Sequence, residues 1–110
     1  MNADLLDAAA SGMDAQRAAL DVAARNVAAA EAAGRNGRYD RLVPEFRIRE
    51  DGERGGFLEF SGTHRERETN VDILTEMIAV MNASRAYESN AALFDVGKTL
   101  AEKTIELGRL

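Results

Sequence analysis

Cysteine and tryptophan are absent from this chain of 110 residues, and proline and histidine occur once each. Without cysteine there can be no disulfide, no thiolate chemistry and no thiolate-held metal. The lone His64 stands between Thr63 and Arg65 with no companion ligand at metal spacing, and reads as a linker residue. No apolar run approaches the ~18 residues of a membrane span, so direct membrane insertion is not expected. The opening Met-Asn-Ala-Asp has neither a basic n-region nor a continuous apolar stretch, which argues against a cleaved signal peptide. Four Phe and two Tyr make a thin core for a chain of this size, so part of the stability is expected from neighbouring subunits. No nucleophile has a base partner, no glycine run forms a phosphate loop, and Glu102 and Glu106 share a helix without a pocket. The reading is of a protein with no enzymatic activity and no cofactor or metal.

What is abundant is alanine, the best helix former, at 20 positions. From residue 1 to 34, Leu6, Met13, Leu20 and Val27 recur every seven residues, with Ala9, Gln16, Ala23 and Ala30 at companion positions. A stripe of that period predicts a helix from about Ala3 to Ala33 that lies along a partner helix. Asn2 is expected to cap it, with Asp4 in its first turn, and Gly34 and Gly37 to stop it. A second helix is expected over residues 71–110, beginning near Asp72. Its stripe comprises Ile73, Met77, Val80, Ser84, Tyr87, Ala91, Phe94, Ala101 and Ile105, with Lys98 interrupting. A further edge of Leu74, Ile78, Met81, Leu93, Leu100 and Leu107 widens the apolar arc, so that this helix is expected to touch more than one neighbour.

Between them, residues 35–70 carry eight arginines and eight acids, against net charges of −3 for residues 1–34 and −2 for residues 71–110. Balanced signs in an acidic chain argue against nucleic acid as a partner. Residues 43–48 and 57–60 suggest two short strands, with turns at Asp51-Gly52 and Gly55-Gly56, and Thr63–Thr69 reads as a linker. A two-stranded hairpin is marginal alone and must lean on something. The fold class is therefore mainly α: long terminal helices paired as an antiparallel coiled coil around a short β-hairpin or irregular segment, forming one structural domain.

Ser11-Gly12-Met13, Ala15-Gln16-Arg17 and Ala24-Arg25-Asn26-Val27-Ala28 resemble the N-terminal signature of flagellar axial proteins. Asn70-Val71-Asp72, Glu76-Met77, the run from Ala83 to Asn90 and the run from Lys103 to Gly108 resemble the C-terminal end of flagellar rod proteins. Taken together, the two ends are similar to the bacterial flagellar basal-body rod family, most like its proximal-rod type with a shortened middle segment. The family's further asparagine and threonine near the end of the first helix are replaced here by Ala29 and Ala32. The resemblance implies a structural subunit of the periplasm-spanning rod, which transmits torque for motility. Its implied partners are other rod subunits, copies of itself and the flagellar type III export apparatus, which exports such subunits without a cleaved signal.

The expected subunit-packing residues are Leu6, Met13, Gln16, Leu20, Asn26, Val27, Ile73, Met77, Val80, Met81, Ser84, Arg85, Tyr87, Ala91, Phe94 and Ile105. Within that set, Gln16 is either a polar residue at the seam edge or a register-fixing hydrogen bond. Asn26 either faces solvent or bonds across a subunit boundary. Arg85 and Glu88 are either solvated or paired between subunits. The methionines read as core packing or as an adaptable contact surface. A free-standing cytoplasmic helical adaptor that homo-oligomerises is the competing reading.

Overall fold

The computed structural model describes residues 2–34, 37–50, 52 and 56–108, without the side chains of residues 2–4 and 68. Four elements follow one another: α1 (Asn2–Ala33), β1 (Tyr39–Glu50), β2 (Gly56–Thr69) and α2 (Ile73–Gly108). The expected cap at Asn2, the Asp4 side chain, and the turn residues Asp51 and Gly55 lie outside what is described. The molecule is a flat rod of 67 × 24 × 13 Å. Its 32-residue α1 accounts for about 48 Å of that length at ~1.5 Å per residue.

The helices pair antiparallel, as their stripes predict, but around a different centre line. A Cβ added at Gly12 would stand 2.5 Å from the Asn90 side chain, and one added at Gly97 would stand 3.2 Å from Leu6 and 3.3 Å from Leu5. Seven residues forward in α1 thus match seven backward in α2. The same step sets Ala19 against Ala83 and Asn26 against Glu76, and all four are buried. Small residues hold the centre because they let the backbones approach closely. Ala9, Ala15, Ala19, Val22 and Ala23 form the buried face of α1, while Leu6, Met13, Leu20 and Val27 are half-buried beside it. On α2 the expected line is corrected in the same way: Met77 is 49% and Ile105 58% exposed, and Glu76, Ala83 and Gly97 are buried in their place. Ile73, Val80, Ser84, Tyr87, Ala91, Phe94 and Ala101 are half-buried along the flank of this seam.

The α2 start is set by Asp72, as expected. The Thr75 amide donates to Asp72 Oδ1 at 3.0 Å, and the Thr75 hydroxyl adds a second bond at 3.1 Å. This satisfies one of the orphan amides of a first helical turn.

The hairpin is longer than its apolar content suggests. β1 and β2 pair from Tyr39↔Thr69 to Glu50↔Gly56, with irregularities between Tyr39 and Arg41 and between Glu45 and Phe46. Residues Thr63–Thr69, expected as a linker, are therefore strand, and His64 pairs opposite Val43. Phe46 and Phe60 stack edge-on at 6.2 Å. The hairpin leans on α1, which it retraces from its C-terminal end. Asn26 both accepts from the Leu42 amide and donates to the Leu42 carbonyl at 2.8 Å, and the Ser11 hydroxyl donates to the Leu58 carbonyl.

Candidate assembly surface

Part of the charge of the middle segment is paired across the hairpin. Arg47 and Glu59 face each other across the strands at 3.0 Å, as do His64 and Glu45 at 2.6 Å and Arg65 and Asp40 at 3.7 Å. Exposed pairs of this kind contribute only about 0–1 kcal/mol each.

One pair differs. Arg41 reaches from β1 to the fully buried Glu76 of α2, with Nε 2.6 Å from Oε1, and stands 3.8 Å from Glu66. The hydrogen bond to Glu76 holds the Arg41 guanidinium above its ordinary pKa. Glu76 Oε2 has no hydrogen-bond partner among the described residues. Beside this pair, Tyr39 is buried and donates its hydroxyl to the Val71 carbonyl at 3.0 Å. Burial raises its pKa, and the Glu76 charge adds to the rise. Arg41, Tyr39 and Asn26 thus tie the base of the hairpin to both helices. The spacing held one clue to this cluster: Glu76 lies seven residues before Ala83 and fourteen before Asn90, so it shares the seam's heptad.

With the seam filled by small residues and the hairpin carried by α1, much of α2 is left bare. Leu74, Met77, Ile78 and Met81 form an exposed apolar patch on its N-terminal half, with Arg85 and Glu88 exposed just beyond. Leu93, Val96, Leu100 and Leu107 form a second on its C-terminal half. Steps of three, four and seven put each set on one side of the helix. On the helical wheel the first set lies opposite the line of Glu76, Ala83 and Gly97, and the second lies beside that line, exposed where α2 nears the end of α1.

The expected packing residues fall into three groups. Met77, Met81, Arg85 and Ile105 are exposed. Asn26 is buried and bonds to both the amide and the carbonyl of Leu42 within the chain, so it does not face solvent. The remaining residues flank the seam, among them Gln16, which lines a groove of about 270 Å³ with Phe46 and Asn82. Tyr87 receives a hydrogen bond from Arg17 Nη2 at 3.3 Å, linking the two helices at the surface. Leu74, Ile78, Leu93, Leu100 and Leu107, expected as a further edge, lie on the bare face, and Val96, which belongs to neither expected set, joins them.

Among the described residues no three His, Asp or Glu side chains are grouped to hold a metal, and no helix is long and apolar enough to cross a membrane.

Residues 66–107 match the family described as flagellar basal body rod FlgEFG protein C-terminal. Over 124 residues the chain is 31% identical to the flagellar basal-body rod protein FlgC of Aquifex aeolicus (strain VF5), covering 92% of this chain and 92% of that protein. That span exceeds the 110 residues present here, so the relative carries residues that this chain lacks. With the alignment running through nearly the whole of both proteins, the chain belongs to the flagellar basal-body rod proteins and is FlgC-like.

Proposed function

We propose that this protein is a structural subunit of the flagellar rod that binds neighbouring rod subunits, copies of itself included, through the bare flanks of its helix pair. The observation that carries the reading is the exposed apolar face of α2, from Leu74 to Met81 and from Leu93 to Leu107. Contiguous apolar surface of this kind marks a contact site in a soluble protein. Met77, Met81, Arg85 and Ile105 supply contacts between subunits, with Leu6, Met13, Leu20 and Val27 at the edges. The seam and the hairpin anchors make the subunit stiff, as a torque-transmitting tube requires. Residues 1–34, 35–70 and 71–110 act as a single structural domain. Its place is the periplasm-spanning part of the basal body, reached through the flagellar type III export apparatus without a cleaved signal. Its role calls for no catalysis, cofactor or nucleic acid.

Purified basal bodies test the reading. The protein is expected to co-purify with them, and cells lacking it are expected to build no rod and not to swim. A discrete cytoplasmic homo-oligomer, absent from basal bodies, would instead establish the helical-adaptor reading.

A further inference from the structure

One end of the molecule is an exposed helix and the other is recessed. At the end where α1 begins, every residue of α2 from Glu102 to Gly108 is exposed, Leu107 to 69%. At the opposite end an open concavity of about 660 Å³ is lined by Ala30, Tyr39, Val71 and Ile73 and by the acids Glu31 and Asp72. A cavity of ~150 Å³ already admits a benzene ring, so this one has room for several side chains. Projecting end and concavity lie in the same lane. Ile73 is the first residue of α2, and the seam register sets Ala30 beyond it. The concavity is therefore the space that α2 would fill if it continued past its own start alongside α1.

We infer that this concavity receives the C-terminal end of α2 from an adjoining rod subunit, and that this chain's own Glu102–Gly108 enters the matching concavity of the next. The inference rests on the rod-subunit reading. Three observations favour this occupant. The joint continues the intramolecular seam, because the incoming helix meets the alanine surface of α1 around Ala30, the kind of surface on which α2 already packs. Charges of both signs find counterparts: the negative end of one helix approaches the amide end of another, Lys103 of the incoming end meets Glu31 and Asp72, and its Glu102 and Glu106 meet Arg38, which also lines the concavity. The segment matched by the rod family, residues 66–107, contains both most of the projecting end and the Val71–Ile73 wall, so other members carry counterparts of both. Such a joint is heterologous and does not close on itself, which is the contact an open tube requires.

Site-specific photo-crosslinking in assembled basal bodies tests it, with a benzophenone amino acid placed at Leu107 or at Ala30 of the full chain. Position 107 is expected to crosslink to an adjoining rod subunit near the counterparts of Ala30 or Val71, and position 30 to the C-terminal helix end of an adjoining subunit. Leu107→Asp is expected to lower incorporation into basal bodies at least about tenfold, the effect of ~1.4 kcal/mol, with unchanged circular dichroism. Ile48→Asp, on the exposed hairpin away from both ends, is expected to incorporate normally. Crosslinks that land on a hairpin or on a non-rod protein overturn the end-to-end joint while leaving the rod reading intact. Absence of the protein from basal bodies overturns the rod reading itself.

Discussion

Arg41 and Glu76 are the residues on which the hairpin's position turns. A fully buried carboxylate held through one oxygen by one guanidinium is expensive to leave unmatched. Arg41→Met strands that charge and is expected to cost about 3–5 kcal/mol, whereas Arg41→Met with Glu76→Met costs less than Arg41→Met alone. Urea melts of the two single variants and the double variant measure this. A double variant no more stable than Arg41→Met would show that the loss does not come from leaving Glu76 unmatched. Tyr39 adds a pH dependence. Its folded pKa is raised above 10.0 by burial and by the Glu76 charge. The neutral hydroxyl is the form favoured in the fold, so its contribution is complete below 10.0 and is lost as the pH climbs through the raised value. Thermal melts at increasing alkaline pH are expected to show Tm falling above 10.0, and less steeply in Tyr39→Phe. Equal slopes in the two proteins would assign the alkaline loss elsewhere.

At the scale of the elements, the glycines of the seam make opposite predictions. Alanine at a helix interior gains about 1 kcal/mol over glycine. At Gly97 the new Cβ meets the mobile ends of Leu5 and Leu6 at 3.2–3.3 Å, so Gly97→Ala is expected to be neutral or stabilising. At Gly12 it meets three atoms of Asn90 within 2.8 Å, and that side chain is held by a hydrogen bond to the Ala86 carbonyl. Gly12→Ala is expected to cost about 1–3 kcal/mol, recovered in large part by Asn90→Ala. Denaturant titrations of these variants would decide it, and equal effects at the two glycines would contradict the close-packed seam. The same seam explains what was legible in the sequence. The heptads at Leu6, Met13, Leu20 and Val27 and the stripe from Ile73 to Ile105 were enough for two long antiparallel helices, because periodicity is local. They misplaced the contact line because large side chains dominate a hydrophobic pattern, whereas an alanine-rich pair brings Gly12, Ala19, Ala83 and Gly97 to its centre. The strand from Thr63 to Thr69 was hidden for a related reason. On an exposed hairpin, charged residues such as His64 and Arg65 pair across strands and leave no apolar alternation. The Arg41–Glu76 and Asn26–Leu42 links join residues 35 and 16 apart, and no local pattern marks them.

For the whole molecule, the bare face of α2 separates stability from assembly. Met77 and Met81 are about half exposed in the isolated chain, so replacing them with aspartate removes little burial from the fold. In a rod contact each would be covered, where a buried methionine contributes about 1.5–3 kcal/mol. That corresponds to roughly tenfold or more in affinity per site, since ~1.4 kcal/mol is a factor of ten. Met77→Asp and Met81→Asp are therefore expected to leave Tm within a few degrees of the parent while abolishing rod assembly and swimming. Leu20→Asp, half-buried beside the seam, is expected to lose both. Because the contact is apolar, assembly by the parent chain is expected to weaken on cooling. Motility assays, basal-body yield and thermal melts on the same variants separate the two effects. Normal swimming with aspartate at both methionines would remove the Leu74–Met81 patch from the contact surface and leave the C-terminal stripe to carry the adhesion.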